Sequence, residues 1–287
     1  MVQRAARTAP PAVQEVARRV ARRVGQASAP LRMLPDFLVV GAQRCGTTTL
    51  YRLLADHPSV VRPLFSKGTG YLDVNYRHSW AWYRGHFPLA SVAALRTPRP
   101  VTFESSGYYM YHPLAAGRIA ADLPAVRLVV LVRDPVERAY SAHRHELVRG
   151  FETEPFERAL ELEAGRLAGE EDRLRADPTY QSFSHRHHSY LARGRYAAQV
   201  ERLWGAVGAD RVLVVDANHF FDEPHAVFAE IQHWLGLPVW QPAHVGVFNA
   251  RPRDPMPPAL RRALLAEFEA SDRALVPLLG TEPSWRR

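Results

Sequence analysis

A glycine-rich turn between an apolar run and a helical pattern is the part of this chain best suited to chemistry. The apolar residues 37–40 meet Gly41, Gly46 follows five residues later, and the hydroxyls of Thr47 and Thr48 come directly after it. Backbone N–H groups at the first turn of a helix, helped by the helix dipole, bind anions. The pattern therefore predicts a cradle for a phosphate group.

The residue after the second glycine distinguishes this turn from the nucleotide-triphosphate P-loop, which has the same glycine spacing. The P-loop has a lysine at that position, whereas this chain has Thr47 there and its cation comes earlier, at Arg44. We therefore expect a phosphate-bearing donor rather than ATP held through magnesium. Arg44 is suited to neutralise the charge on a bridging oxygen as it leaves. The alternative is an ordinary tight turn with a helix cap.

Arg133 and Ser141 form a second candidate anion site. Arg133 follows the apolar run 127–132, the clearest strand pattern in the chain. Ser141 lies about two helical turns further on. An arginine fork beside a hydroxyl suits a second phosphate, away from the first. In the alternative interpretation, Arg133 pairs with Asp134 or Glu137 in a structural ion-pair network.

Alternating strand and helix patterns predict an α/β fold, with a P-loop-like parallel β-sheet flanked by helices on both faces. We expect strands at 37–41, 101–104, 127–132 and 211–215, and helices near 47–56, 113–122, 135–148, 189–204, 224–235 and 259–279. Ligands of parallel sheets bind beyond the carboxyl ends of the strands. The glycine turn, Glu104 and Arg133 all follow predicted strand ends, so they should meet at one rim.

The domain organisation is expected to be simple. A length of 287 residues fits one large domain or two small ones, at ~100–200 residues per domain. We predict a basic N-terminal leader over residues 1–34 and a single α/β domain over residues 35–287. Within that domain, the charged residues 152–176 should form a solvated helical excursion. Residues 249–258, which include four prolines, should form a loop.

Charge and cysteine content limit the classes of partner and compartment. The formal net charge is +8, from 37 basic and 29 acidic residues. Such a balance fits an anionic cofactor, a membrane surface or a polyanion, and does not by itself distinguish them. We do not expect a nucleic-acid partner, for which charge is the sole indication. A single cysteine rules out an internal disulfide and favours a reducing, cytoplasmic compartment.

The N-terminal leader combines arginines with valines at helical spacing. Its arginines are Arg4, Arg7, Arg18, Arg19, Arg22 and Arg23, and its valines are Val13, Val16, Val20 and Val24. We interpret this segment as a solvated or frayed basic helix. Peripheral contact with an anionic membrane, or with a partner protein, is the alternative. No stretch of the chain approaches the ~20 apolar residues of a membrane span.

Two segments resemble the donor-binding motifs of PAPS-dependent sulfotransferases. Residues 41–50, Gly-Ala-Gln-Arg-Cys-Gly-Thr-Thr-Thr-Leu, resemble the 5′-phosphosulfate loop, and residues 128–141 resemble the 3′-phosphate motif. Residues 82–88, 104–109 and 193–196 are similar to the branch that includes heparan sulfate and other carbohydrate sulfotransferases, as in a bacterial-type member. The resemblance extends over about residues 35–280.

The resemblance implies transfer of a sulfuryl group from 3′-phosphoadenosine 5′-phosphosulfate (PAPS) to a hydroxyl or an amine. The product nucleotide would be PAP, and no metal would be required. The acceptor would be a carbohydrate, a glycolipid or a glycosylated metabolite. Arg44 would assist departure of the phosphate. The residues that would bind the donor are Arg44, Cys45, Gly46, Thr47, Thr48, Arg133, Ser141 and Tyr196.

The general base of these relatives has no direct counterpart in the chain. Many heparan-type relatives have a Glu-x-His-Phe-Phe segment whose glutamate acts as the base. The best match, residues 67–73, has Gly68 in place of that glutamate and Gly70 in place of the histidine. Ser105 stands where some relatives have a second lysine. The remaining candidates for the base are Asp73, Glu104 and His188, with a purely structural role as the alternative for Glu104.

Two rival functions stay open at this point. A P-loop nucleotide kinase or NTPase is one, and the missing lysine argues against it; a PAP(S)-binding protein without transferase activity is the other. His185, His187 and His188 show no firm metal-ligand pattern, so we expect no metal site. The aromatic residues between positions 71 and 87 fit either sugar stacking or core packing.

Overall fold

The described part of the chain is built around one parallel sheet. In the computed structural model, which describes residues 11–243, 245–246 and 255–287, four strands pair in the order β2-β1-β3-β4. The strands are β1 (Phe37–Gly41), β2 (Phe103–Ser105), β3 (Arg127–Val132) and β4 (Val212–Asp216). All three pairings are parallel. The predicted α/β fold is confirmed, and β1 is buried along its whole length, as expected of a central strand.

Helices flank this sheet and follow its strands. The described residues contain α1 (Pro11–Ala27), α2 (Thr47–Asp56), α3 (Trp80–Arg84), α4 (Ala90–Ala94), α5 (Ala115–Asp122), α6 (Pro135–Val148), α7 (Phe156–Leu167), α8 (Glu170–Ala176), α9 (Phe183–His187), α10 (Tyr196–Val207), α11 (Ala217–Asp222), α12 (Pro224–Leu235) and α13 (Pro258–Leu279). Helix α2 buries Leu50, Leu53 and Leu54 against the sheet core, as predicted. Helix α12 ends at Gly236, whose φ of 72° suits a glycine.

The helix predicted to start at residue 189 begins only at Tyr196. Residues 192–194 form a 3-10 turn instead. The backbone N–H groups of Leu191 and Ala192 each donate a 2.8 Å hydrogen bond to the carboxylate of Glu163. A carboxylate that binds these N–H groups replaces the bonds of a first helical turn, so the chain enters α10 from a turn.

The expectation that residues 152–176 form a solvated excursion is wrong for one face of α7 and for the residues before it. Glu163 is buried under the turn that precedes α10, and Glu152 is buried beside Arg166 and Tyr190. Charged residues predict a solvent-facing segment only when their charges are hydrated. Here the carboxylates are satisfied by protein donors, which allows them to be buried.

The N-terminal helix α1 packs on the domain through small residues. A Cβ atom at Gly25 would lie 2.6 Å from the carbonyl oxygen of Gly85, so the two backbones are in close contact. The side chains of Val20 and Val24 are more than half exposed. The helix of the leader begins at Pro11, and residues 1–10 lie outside the described part. No helix in the described residues is long and apolar enough to cross a membrane.

The predicted proline-rich loop falls mainly in residues 247–254, which are not among the described residues. Residues 255–257, which are described, lie outside any helix or strand, and α13 begins at Pro258. The division into a leader and one domain stays a prediction.

Replacing Glu163 should reveal its contribution to the fold. We expect Glu163→Ala to lower the free energy of unfolding by about 1–3 kcal/mol, since two buried N–H groups lose their acceptor. The control is Glu161→Ala on the same helix, where the side chain is mostly exposed and pairs with Arg158 at the surface. The control should change stability by less than about 0.5 kcal/mol. Urea unfolding of both variants measures the difference, and equal stabilities would contradict the burial argument.

Candidate active site

The carboxyl ends of β1, β2 and β3 meet beside the amino end of α2. Gly46 is the N-cap residue of α2, with a φ of 82° that favours glycine. A Cβ atom at Gly46 would lie 2.7 Å from the ring of Phe221, so the turn also has no room for a side chain there. The first N–H groups of α2 and the hydroxyls of Thr47 and Thr48 therefore lie at a closely packed turn, which is the expected form of an anion cradle.

Arg44 and Ser141 come together from the two motifs that the sequence singles out. Arg44 Nε donates a 3.0 Å hydrogen bond to Ser141 Oγ, and Arg133 approaches the carbonyl oxygen of Arg44 at 3.5 Å. Arg44 itself has a φ of 71°, a left-handed conformation that is unfavourable for a residue with a side chain. Such backbone strain concentrates at functional sites.

Cys45 and Tyr196 lie behind the loop, with both side chains buried. The Tyr196 hydroxyl donates to the carbonyl oxygen of Arg133 at 2.9 Å and lies 3.7 Å from Cys45 Sγ. Burial raises the pKa of the Cys45 thiol. Through these contacts the two residues join the first loop to the end of β3.

Gln43 in the same loop is held by Arg193, from the segment before α10. Arg193 donates to Gln43 Oε1 at 2.5 Å and to two backbone carbonyl groups of α9. Its guanidinium lies 4.9 Å from the ring centres of both Tyr108 and Tyr111. The 193–196 segment, which resembles a family motif, thus supports the conformation of the loop from behind.

Arg133 takes part in an ion-pair network. The alternative interpretation of the sequence was that it pairs with Asp134 or Glu137, and the structure pairs it with Glu137. Arg133 lies 3.5 Å from Glu137, which in turn pairs at 3.0 Å with Arg261 of α13. Arg261 also pairs with Asp134 at 2.7 Å, and Asp134 caps the first turn of α6. The two arginines share the carboxylate of Glu137 through different oxygens, so Arg261 neutralises part of the charge that acts on Arg133. No local pattern in the sequence points to Arg261.

Lys67 lies beside the glycine turn that precedes α2. The sequence did not predict this position for Lys67. Its Nζ atom donates to Thr47 Oγ1 at 3.0 Å and to Thr48 Oγ1 at 3.4 Å. Burial lowers the pKa of Lys67 to about 8. The one available signal was the absence of a lysine at position 47, which leaves a place for a cation from elsewhere.

Gly68, which replaces the glutamate of many relatives, sits against β2. Ser105 N donates to the carbonyl oxygen of Lys67 at 2.8 Å, and a Cβ atom at Gly68 would lie 2.3 Å from the carbonyl oxygen of Ser105. No side chain fits at position 68 with this backbone. The local packing therefore excludes a glutamate side chain at position 68.

Glu104 and Asp73 differ in how their carboxylates are used. Glu104 is fully buried and accepts hydrogen bonds from Thr69 N, Tyr83 OH and Tyr109 OH at 2.7 to 3.0 Å. Burial raises its pKa. Asp73 is also buried, accepts from Ser106 Oγ at 3.0 Å, and has its pKa raised by burial to about 6.

The three histidines that the sequence groups together have separate partners. His185 Nδ1 lies 2.8 Å from Tyr108 OH, and burial lowers its pKa to about 3. His187 Nδ1 lies 2.9 Å from Glu146, and His188 Nε2 lies 2.9 Å from the carbonyl oxygen of Phe151. Among the residues that the structure describes, no group of three or more His, Cys, Asp or Glu could hold a metal ion.

The aromatic residues between positions 71 and 87 contribute mainly to the core. Tyr71, Tyr83 and Phe87 are buried, and the rings of Tyr71 and Tyr83 stack at 4.5 Å. Trp82 is partly exposed and lines a surface cavity with His86 and six other residues, one of which is Arg22 of α1. Of the two interpretations, core packing applies to the first three residues.

Comparison with known proteins places the chain in a family. Residues 34–246 match the family model described as the sulfotransferase domain. The chain belongs to the sulfotransferase family. This sulfotransferase is 30% identical to the bifunctional heparan sulfate N-deacetylase/N-sulfotransferase 4 of Mus musculus. It is 29% identical to the corresponding protein 1 of Homo sapiens. Both alignments cover 71% of the chain and 22% of the relative, so the chain spans about a fifth of those proteins.

A solved structure supports the same assignment. The crystal structure of a sulfotransferase from Alicyclobacillus acidocaldarius is 27% identical to this sulfotransferase, with a TM-score of 0.67. The match covers 89% of this chain and all of that one. The predicted membership of the sulfotransferase family is confirmed, and the kinase or NTPase alternative is not favoured.

Arg261 should control how well Arg133 binds a phosphate. In Arg261→Ala, Glu137 is left to pair with Arg133 alone, and we expect the affinity for PAP to fall about tenfold, which equals ~1.4 kcal/mol. Adding Glu137→Gln to that variant should restore the affinity for PAP, because the carboxylate charge that pairs with Arg133 is gone. The matched control is Arg273→Ala on the same helix, whose exposed pair with Glu269 is remote from this network. Calorimetric titration measures PAP binding to these three variants and to the wild-type protein. An unchanged PAP affinity in Arg261→Ala would contradict the idea that Arg261 weakens the interaction of Glu137 with Arg133.

Proposed function

We propose that this sulfotransferase uses PAPS as its donor and transfers the sulfuryl group to a hydroxyl or amine of a carbohydrate-containing acceptor. The observation that supports the donor most strongly is the 3.0 Å contact between Arg44 and Ser141. It brings two anion-binding motifs to one rim from distant parts of the chain. PAPS has anionic groups on both its 5′ and 3′ sides, which matches two separate anion sites.

Each end of the donor has a distinct set of partners in this proposal. The N–H groups of the Gly46 turn, with Thr47 and Thr48, bind the 5′-phosphosulfate, and the helix dipole favours its negative charge. Arg133 and Ser141 bind the 3′-phosphate through charge-assisted hydrogen bonds. Arg44 lies between the two sets, where it can exchange its contact with Ser141 for a contact with the donor.

The chemistry is an in-line displacement at sulfur. The acceptor oxygen or nitrogen forms a bond to sulfur while the bond from sulfur to the bridging oxygen breaks, and its electron pair stays on the 5′-phosphate of PAP. Arg44 stabilises the negative charge that develops on that oxygen. The remaining work of the protein is to hold donor and acceptor in line. The acceptor proton must go to a base.

Asp73 is the carboxylate that we propose as the base for a hydroxyl acceptor. It belongs to the segment that follows Lys67 and Gly68, and its hydrogen bond to Ser106 places it just beyond the end of β2. A carboxylate with a pKa of about 6 is ionised at neutral pH and is a stronger base than an ordinary aspartate. Glu104 is engaged by three donors and supports the backbone of Thr69, which favours a structural role.

The carbohydrate acceptor is proposed from the relatives, whose names state heparan sulfate as the molecule on which they act. The partly exposed Trp82, stacked at 4.3 Å on His78, offers a flat apolar surface of the kind that sugar rings bind. Contact of α1 with an anionic membrane, and a cytoplasmic location, stay predictions; exposed Val20 and Val24 beside arginines support the first.

Transfer of radiolabelled sulfate from PAPS to glycan and glycolipid fractions of a cell extract tests the proposed function. Arg44→Ala should lower kcat roughly hundredfold, because it removes a transition-state contact. Arg133→Ala should instead raise the KM for PAPS by roughly tenfold, because it removes a ground-state contact with the 3′-phosphate. Arg77→Ala, at an exposed position away from the rim, is the control. Magnesium-dependent ATP turnover without sulfate transfer would contradict the proposal.

The pH profile separates the candidate bases. With a hydroxyl acceptor, kcat/KM should rise as the pH passes about 6, where Asp73 loses its proton. Asp73→Asn should lower kcat roughly hundredfold and leave PAP affinity unchanged. The exposed Asp177→Asn serves as the control. If His188→Gln removes the pH dependence and Asp73→Asn does not, the assignment of the base to Asp73 fails.

A further inference from the structure

We propose that Lys67 is a catalytic residue that binds the sulfuryl oxygens of the donor and supplies the cation absent from position 47 of the loop. This inference rests on the proposed PAPS site. In the nucleotide-triphosphate P-loop the corresponding cation follows the second glycine directly. Here it would come from a different segment, and it would face the transferred group from the side of the acceptor.

The position of Lys67 is defined by contacts on both its side chain and its backbone. Nζ lies within hydrogen-bond distance of the hydroxyls of Thr47 and Thr48, the first two residues of α2. The carbonyl oxygen of Lys67 accepts from Ser105 N at 2.8 Å, so the residue is attached to the end of β2. Lys67 is thus held against the rim by the sheet, independently of the loop conformation.

Gly68 makes this attachment possible. With 2.3 Å between its notional Cβ atom and the carbonyl oxygen of Ser105, the backbone of residues 67 and 68 approaches β2 as closely as glycine allows. The same glycine stands where many relatives have a glutamate. The chain therefore replaces a carboxylate at this point with a close backbone contact that positions a neighbouring ammonium.

The surroundings of the ammonium favour an anionic ligand. Within the described residues no ion pair joins Lys67 to a carboxylate, and its Nζ atom lies 5.9 Å from the ring centre of Tyr51. Neutral hydroxyls do not compensate fully for the hydration that a buried cation loses. The lowered pKa of Lys67 is consistent with this cost. A sulfuryl group beside Thr47 would provide the missing negative charge.

The role in transfer differs from that of Arg44. Arg44 contacts Ser141 on the side of the 3′-phosphate motif, whereas Lys67 lies on the segment that leads to Asp73. As the acceptor oxygen bonds to sulfur and the bridging oxygen leaves with its electron pair, Lys67 holds the non-bridging sulfuryl oxygens in line. The acceptor proton goes to Asp73, and Lys67 stays protonated throughout.

Comparison of PAPS and PAP binding tests this inference, because PAP lacks the sulfuryl group. We expect Lys67→Met to weaken PAPS binding about tenfold, measured by calorimetry without acceptor, and PAP binding by less than about threefold. The variant should lower kcat roughly hundredfold, with partial recovery in Lys67→Arg. Arg77→Met is the matched control in the same segment. Thermal unfolding establishes that each variant is folded.

The pH dependence of PAPS binding gives an independent readout. Lys67 is charged below its pKa, so PAPS affinity of the wild-type protein should decline as the pH rises above about 8, and this decline should be absent in Lys67→Met. Equal losses of PAP and PAPS affinity in Lys67→Met, or unchanged transfer, would overturn the role of Lys67. If the wild-type protein bound neither PAP nor PAPS, the proposed function itself would fail.

Discussion

Three positively charged side chains lie at the amino end of α2. Arg44, Lys67 and Arg133 come from three separate segments, and the dipole of α2 adds to their field. Like charges repel more strongly where water is scarce, so each needs a partner that fixes it. Arg44 has Ser141, Arg133 has Glu137, and Lys67 has two hydroxyls and a backbone attachment to β2. In the proposed function, an anionic donor would relieve the repulsion among these cations.

Several carboxylates are used for architecture. Glu104 accepts three hydrogen bonds inside the fold, and Glu163 caps the backbone before α10. Glu137 and Asp134 are shared with Arg261. The carboxylate of Asp73 accepts from Ser106 Oγ and Val74 N, and burial raises its pKa to about 6, which makes it a stronger base than an ordinary aspartate.

The strands of the sheet and the two candidate donor motifs could be located in the sequence because each is local. A strand, a turn and a helix in consecutive residues place Gly46 and Ser141 with little help from the rest of the chain. Lys67 reaches Thr47 across 20 residues and Arg261 reaches Glu137 across 124, so neither contact leaves a periodic or spacing signal.

The errors in the sequence prediction have a related cause. The charge of residues 152–176 suggested that their side chains are hydrated. The buried carboxylate of Glu163 instead accepts hydrogen bonds from backbone N–H groups that lie 28 and 29 residues away. The same contact delays the start of α10 to Tyr196. A long-range hydrogen bond thus overrode both the charge pattern and the local helical pattern.

Two anion sites at one rim are proposed to recognise the donor without a metal. The direct measurement is a calorimetric comparison of PAP with adenosine 5′-monophosphate, which lacks the 3′-phosphate, in the presence of a chelator. Contacts of Arg133 and Ser141 with the 3′-phosphate should make PAP bind at least about tenfold more tightly. Equal affinities for the two nucleotides, or PAP binding that requires magnesium, would contradict the account.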